Sequence, residues 1–123
     1  MLRYIFPFLI FIFLFPEVTS ADEASWGRYI QSGQLALQRG RRDRAEKQFM
    51  AALKEAEAMG EQNPRLAITL NLLGEVCRMQ GKFQKAEEFF KRALALGEKS
   101  LGKDNPEFTK IVDNYAKLQR DSK

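Results

Sequence analysis

The middle of this chain repeats itself with a period of 41 residues. Eight residues of segment 33–57 recur at the matching positions of segment 74–98, where ordinary composition gives roughly two by chance. The matched pairs are Gly33/Gly74, Gly40/Gly81, Ala45/Ala86, Glu46/Glu87, Phe49/Phe90, Ala52/Ala93, Leu53/Leu94 and Glu57/Glu98. A period of 20–50 residues is typical of an array of stacked supersecondary units, and it constrains the fold more than any single residue does.

Each repeat predicts two helices joined by a glycine turn. Apolar residues at helical spacing form one stripe before Gly40 and a second stripe after Asp43, which is expected to cap the second helix. The second unit copies this pattern around Gly81, and a third first helix follows Pro106. The stripes are Trp26, Tyr29, Ile30, Gly33 and Leu37; Ala45, Phe49, Ala52, Leu53 and Ala56; Leu66, Leu70, Leu73, Gly74 and Cys77; Ala86, Phe90, Ala93, Leu94 and Gly97; and Phe108, Ile111, Val112, Tyr115 and Leu118.

Two glycines lie in the middle of predicted helices. A glycine there costs about 1 kcal/mol relative to alanine, so its recurrence as Gly33 and Gly74 indicates a packing reason. We expect two helices to approach closely at each glycine, with Ala45 and Ala86 facing the gap. We expect the aromatic rings of the second helices to fill the space between neighbouring units.

The N-terminal residues have a different composition. Residues 5–15 are entirely apolar, Arg3 precedes them, and small residues follow up to Ala21. This layout predicts a signal peptide over residues 1–21 and a secreted or periplasmic mature domain, 22–123. The alternative is a membrane anchor formed by residues 5–15, although about 20 apolar residues are needed to cross a bilayer.

Composition argues against catalysis, metal binding and cofactor binding. The chain has no His and one Cys, so it lacks the commonest general base and any pair of thiols for zinc or a disulfide. No nucleophile with a base and no phosphate-binding loop is visible, so we predict that the protein is not an enzyme and has no cofactor. The single Cys77 lies on an apolar stripe and is expected to be a core residue.

The net charge of +4 is spread among residues of both signs, which is typical of solvated helix faces rather than a nucleic-acid footprint. No nucleic-acid partner is predicted. The densest basic run, residues 39–44, lies in the first inter-helix turn. It fits either a solvated turn or a contact with a phosphate or an acidic surface.

The pattern Gly-x6-Gly-x4-Ala-x3-Phe-x2-Ala, present in both units, resembles the skeleton of the tetratricopeptide repeat (TPR). The 41–42-residue spacing and the Leu-Gly-x-Asp-x-Pro run at 101–106 are similar to the kinesin-light-chain type of this repeat. Ser32 and Arg42 depart from that type in the first unit. The resemblance implies an all-α fold, an α-solenoid of antiparallel helix pairs with five helices in about two and a half repeats. Repeat 1 is about 24–62, repeat 2 about 64–104, and the capping helix about 106–121.

The resemblance also implies a function. In such families the first helices line a concave face that holds a peptide or helix of a partner, so a non-catalytic adaptor or scaffold is predicted. The alternative is a small self-associating subunit of an envelope assembly, and the polar residues of any first helix also fit a purely solvated face. The predicted partner-binding residues are Gln34, Asn71, Glu75, Arg78, Lys110, Asn114 and Lys117, with Ile30, Leu37 and Asp113 beside them. The expected partner is a protein or peptide, with a possible homo-oligomer, and with a membrane only if the leader is uncleaved.

Overall fold

A computed structural model describes the backbone of residues 19–123 and the side chains from residue 23 onward. This part of the chain forms five α-helices and no strand, so the predicted all-α fold of helix pairs is confirmed. The helices are α1 (Thr19–Gln38), α2 (Arg42–Ala58), α3 (Pro64–Met79), α4 (Phe83–Ser100) and α5 (Pro106–Asp121). The apolar segment 5–15 lies outside the described residues, and the leader with its boundary at residue 21 stays a prediction.

Each helix pair turns on a glycine with positive φ. Gly40 has φ of 73°, a conformation in which an L side chain is strained. Its N–H donates to the Leu37 carbonyl at 3.0 Å, and the next N–H, that of Arg41, donates to the Ala36 carbonyl at 2.9 Å. These two bonds close the C-terminus of α1 in a Schellman motif, and they recur around Gly81 at the end of α3. The predicted turn glycines are therefore confirmed.

The two units are joined by loops that end in Asn-Pro. Asn63 caps α3 by accepting a hydrogen bond from the Arg65 N–H at 2.9 Å, and Pro64 occupies the first turn. Asn105 and Pro106 repeat this arrangement at the start of α5. Proline suits this position because its missing N–H would have no partner within the helix.

The expectation that Asp43 caps α2 is wrong. Arg41 is the N-cap residue and makes no side-chain capping bond, because the Schellman motif leads the chain directly into α2 at Arg42. Asp43 lies in the first helical turn, where its carboxylate accepts a hydrogen bond from the Gln80 amide at 3.0 Å. It therefore joins the first unit to the second instead of ending its own helix.

The mid-helix glycines lie beneath phenylalanine rings. A Cβ placed on Gly74 would lie 2.7 Å from ring carbons of Phe90, and one on Gly33 would overlap the Phe49 ring. The expected close approach is confirmed, but each ring occupies it within its own unit. The ring of Phe90 also reaches the next unit, since its centroid lies 6.3 Å from that of Tyr115.

The buried side chains of the units form two clusters, and each cluster contains one of these rings. Cys77 is fully buried against Ala86 and Phe90, as predicted for a core residue, and burial raises the pKa of its thiol. The main cluster of buried side chains spans both units and α5: Ala36, Ala45, Phe49, Leu53, Ala56, Leu66, Ala67, Leu70, Leu73, Val76, Ala93 and Ile111. No helix within residues 19–123 has the length and apolar character of a membrane span.

Charged groups at the turns hold the first unit to the second. The carboxylate of Glu46 on α2 contacts the ammonium groups of Lys82 at 3.1 Å and of Lys85 at 3.2 Å. Burial raises the pKa of Glu46, but hydrogen bonds from Gln80 and the two lysines outweigh burial, so the pKa lies below its usual value.

Charged side chains also pair along α4 and between the second helices of the two units. Glu87 pairs with Lys91 at 3.4 Å along α4. Arg92 pairs with Glu57 of the preceding unit at 3.4 Å rather than with Glu88 one turn earlier. A pair between units adds a contact across the array, although exposed pairs of this kind contribute at most about 1 kcal/mol.

We predict that Gly74→Ala destabilises the protein although alanine is the better helix former. The new methyl group would meet the buried Phe90 ring, and such overpacking costs about 1–3 kcal/mol. Gly27→Ala in α1 is the matched control, because a Cβ there has no atom within 4 Å and should raise stability by up to about 1 kcal/mol. Urea unfolding of both variants measures the difference. A Gly74→Ala variant as stable as Gly27→Ala would contradict the ring-over-glycine contact.

Candidate functional site

The first helices of successive units are linked to one another by three hydrogen bonds, each between residues 43 positions apart. Near the start of α1, the Trp26 indole N–H donates to the Thr69 hydroxyl at 2.8 Å. The other two bonds join α3 to α5. This spacing of 43 residues is longer than the 41-residue repeat period. Equivalent residues project in the same direction from each first helix, so they do not face each other. A residue therefore contacts a later, non-equivalent position on the next first helix.

The link at Trp26 is reinforced by charge. The guanidinium carbon of Arg65 lies 5.3 Å from the centre of the Trp26 ring, within the range of a cation–π contact. The same guanidinium pairs with Glu23 of α1 at 3.5 Å. Thr69 itself is fully buried and donates its hydroxyl to the Arg65 carbonyl. This end of α1 is therefore fixed to the start of α3.

Asn71 and Asn114 bind each other. The Asn114 amide N–H donates to the Asn71 side-chain oxygen at 3.0 Å, and only 7% of Asn71 is exposed. Both were predicted to hold a partner, and the structure brings them together across the α3–α5 contact. An amide pair of this kind satisfies polar groups that would otherwise be buried without a partner.

Arg78 and Glu75 also form one group. The Arg78 guanidinium donates to both oxygens of Glu75, at 3.0 and 2.7 Å, and to Asp121 of α5 at 2.6 Å. Hydrogen bonding to Glu75 is the main reason that the pKa of Arg78 lies above its usual value, with Asp121 adding to it. The positive charge of Arg78 is thus neutralised within the array, and it ties the end of α5 to α3.

The remaining predicted site residues are exposed and stand apart. Gln34 lies on α1, and Lys117 lies on α5 with no ion pair to any residue that the structure describes. Lys110 is exposed and pairs with Glu107 one turn earlier at 2.9 Å. We call the side of α1, α3 and α5 that carries these residues the first-helix face, consisting of Ile30, Gln34, Leu37, Asn71, Glu75, Arg78, Lys110, Asp113, Asn114 and Lys117.

Sequence reasoning missed the internal pairing on this face. Asp121 was not singled out, although it holds Arg78, and Trp26 was assigned only to an apolar stripe. Comparing each residue with the position 43 places later would have paired Trp26 with Thr69, Asn71 with Asn114 and Arg78 with Asp121. The signal was present in the sequence, but the period of the identities is 41.

The first-helix face changes character along the array. Its α1 part is uncharged, with half-buried Ile30 and Leu37 beside exposed Gln34, whereas its α5 part carries Lys110, Asp113 and Lys117. In the part of the chain whose side chains are described, no three His, Cys, Asp or Glu residues are grouped to hold a metal ion. The arrangement offers apolar contact and amide hydrogen bonding at one end and charge at the other.

We predict energetic coupling between Asn71 and Asn114. Asn71→Leu alone leaves the Asn114 amide without its partner and should cost about 1–3 kcal/mol, whereas Asn71→Leu with Asn114→Leu removes both polar groups and should cost less than the sum of the single changes. Urea unfolding gives the double-mutant cycle. Amide hydrogen exchange should show the loss of protection in α5, and additive effects would contradict the pairing.

Comparison with known families agrees with this geometry. Residues 28–99 match a family model described as Tetratricopeptide repeat. A comparison with curated proteins found no significant match. Because residues 28–99 are 72 of the 123 in the sequence, and because they hold both glycine turns and both ring-over-glycine contacts, this chain belongs to the tetratricopeptide repeat family.

Proposed function

We propose that this chain is a non-catalytic adaptor or scaffold that binds a peptide or helix of a partner protein on its first-helix face. TPR domains typically bind protein partners, which supports an interaction module as the general role. The specific proposal is supported by one observation, which is the division of the polar residues on this face into a set bonded within the array and an exposed set. Asn71, Arg78 and Asn114 hold the helices in register, and Gln34 and Lys117 remain exposed at its two ends.

This division supports a proposal for the residues that contact the partner. A side chain already bonded within the array must give up those bonds to bind a ligand, so Asn71 and Arg78 act mainly by fixing the shape of the face. Ile30 and Leu37 would receive an apolar residue of the partner, and Gln34 offers both a donor and an acceptor to its backbone. Lys117 would pair with an acidic residue further along the partner segment.

The unit length supports assignment to the longer, kinesin-light-chain-like type of repeat. Gly60 and Gly102 both have positive φ and lie 42 positions apart, each followed by the Asn-Pro start of the next first helix. The additional residues compared with a 34-residue repeat extend the helices and their connecting loop. Longer first helices give the proposed binding face more length per unit.

Export of the domain is part of the proposal. The apolar run 5–15, preceded by Arg3 and followed by small residues, supports a signal peptide ending at residue 21 and a secreted or periplasmic location. Anchoring of the chain by residues 5–15 is the competing possibility. The two differ in the N-terminal residue of the recovered protein.

We predict that Gln34→Ala combined with Lys117→Glu weakens partner binding by about tenfold or more without unfolding the protein. Lys54→Glu is the control, because Lys54 is exposed on α2 and outside the first-helix face. Affinity capture of the full chain from the cells that produce it, followed by mass spectrometry, compares the partners retained by each variant. The same spectra report the N-terminal residue, which should be Asp22 if the leader is removed.

Equal capture by the two variants would contradict the assignment of the face. A self-associating subunit remains the alternative, favoured by Val112 of α5, which is 44% exposed where the equivalent Leu70 of α3 is fully buried. Sedimentation at increasing concentration separates the two functions. A monomer that captures a partner supports the adaptor, and a tight homo-oligomer without other partners supports the structural subunit.

A further inference from the structure

The basic turn between α1 and α2 has two sides. On one side, the Arg42 guanidinium donates to the Met79 carbonyl at 2.8 Å and Asp43 accepts from the Gln80 amide at 3.0 Å, so both residues face the second unit. The other side forms a small groove. Its lining residues are Ser32, Leu35, Ala36, Arg39, Arg41 and Arg44.

The second unit shows what side chains at these positions do when a helix lies against them. The positions equivalent to the three groove arginines are Gln80, Lys82 and Lys85, by the 41-residue period. Gln80 binds the carboxylate of Asp43, and the two lysines bind the carboxylate of Glu46 at 3.1 and 3.2 Å. These two carboxylates lie three residues apart, on one turn of α2. The second unit therefore binds an acidic helix turn through this surface.

In the first unit the same three positions are all arginine. Arg39, Arg41 and Arg44 are exposed, and none forms an ion pair with any residue that the structure describes. Residues 1–18 contain one acidic residue, Glu17, so this segment does not contain two carboxylates three residues apart. Charge complementarity therefore favours an acidic partner for this groove. Arginine is suited to the task, because its guanidinium binds a carboxylate through two parallel hydrogen bonds.

The apolar part of this surface is reduced in the first unit. Leu66, Leu73 and Val76 of α3 are buried in the cluster that includes the apolar side chains of α2, whereas the equivalent residues of α1 are Ser25, Ser32 and Leu35. Leu35 is 44% exposed, and the two serines offer little apolar area. A helix seated here would be held mainly by charge, and its binding would be reversible and sensitive to salt.

We propose that this groove binds an acidic amphipathic helix of a partner protein, with two carboxylates three residues apart at the arginines and an apolar residue on Leu35. The surface is separate from the first-helix face, and the inference does not rest on the function proposed for that face. The site lies at the N-terminal end of the array, and it corresponds to the surface of the second unit that Asp43 and Glu46 of α2 contact.

The observations favour a helix over an anionic bilayer or a nucleic acid. The chain itself provides the precedent, because its second unit uses the equivalent side chains to hold carboxylates on a helix. None of the residues from 23 onward that line the groove is aromatic, whereas binding of single-stranded nucleic acid usually involves stacking of bases on aromatic rings. The groove also has an apolar floor at Leu35, which suits an amphipathic helix.

The test uses a peptide copy of the helix that the second unit holds. A dye-labelled 17-residue peptide with the sequence of residues 42–58 is stapled on its exposed side, because a free helix of this length is marginal in water. Fluorescence anisotropy measures its binding to the full chain. The control peptide carries Asp43→Asn and Glu46→Gln, which keep the shape of the helix and remove both carboxylates.

Matched charge reversals on the protein locate the site. Arg41→Glu with Arg44→Glu should weaken binding of the peptide by about tenfold or more, whereas Lys54→Glu with Lys99→Glu, the same change in net charge elsewhere, should alter it by less than about twofold. Both arginines lie at the N-terminal end of α2, where a negative side chain is favourable to the helix, and circular dichroism checks that the fold is retained. Raising the salt from about 50 to about 200 mM should also weaken binding.

Several results would overturn the inference. The first is that the peptide does not bind the unaltered chain at about millimolar concentration. The second is that the control peptide binds as tightly as the acidic peptide. The third is that the two protein variants lose binding to the same extent. Vesicles containing phosphatidylglycerol and a single-stranded oligonucleotide are tested in parallel. Binding of either probe that depends on Arg41 and Arg44, in the absence of peptide binding, would assign the groove to that ligand instead.

Discussion

The contact between a mid-helix glycine and a phenylalanine ring sets the geometry of this array. The glycine lowers the helix propensity by about 1 kcal/mol, and burial of the ring returns about 1.5–3 kcal/mol. At Gly74 the Phe90 ring occupies the space that any side chain would fill. Because the same contact recurs at Gly33, the two helices of each unit approach closely at the same position of the repeat, and the second unit can stack on the first in register.

That register determines which polar residues bind within the array and which face outward. The hydrogen bonds of Trp26, Asn71 and Arg78 join each first helix to the next, and every one of them spans 43 residues. Polar residues on the first-helix face therefore divide into a set that fixes its shape and a set that is exposed. At the inter-helix turns, Glu46 and Asp43 of α2 bind polar side chains of the second unit. The first unit has three arginines at the positions equivalent to those side chains.

Most of the fold follows from the sequence alone. The glycine turns, the Asn-Pro helix starts and the buried position of Cys77 were predictable, because each depends on local backbone chemistry or on an apolar stripe. The role of Asp43 was not, because the Schellman motif at Gly40 decides where α2 begins.

The candidate site was harder to predict than the fold. Helical periodicity places Asn71 and Asn114 on the outer side of their helices, but their mutual hydrogen bond depends on how the two helices are rotated relative to each other. An asparagine or glutamine serves equally well to bind a ligand or to hold two helices together, so the residue type alone does not distinguish these roles. Only the tertiary arrangement separates Asn71, which is buried, from Gln34, which is exposed.

Photo-crosslinking from single positions in the producing cell tests the central claim most directly. A photoreactive amino acid replaces Gln34 on the first-helix face in one variant and Lys54 on α2 in the other, and both positions are exposed. The account predicts a discrete crosslinked partner protein from position 34 and none from position 54. Equal crosslinking from both positions, or a partner trapped only from position 54, would contradict it.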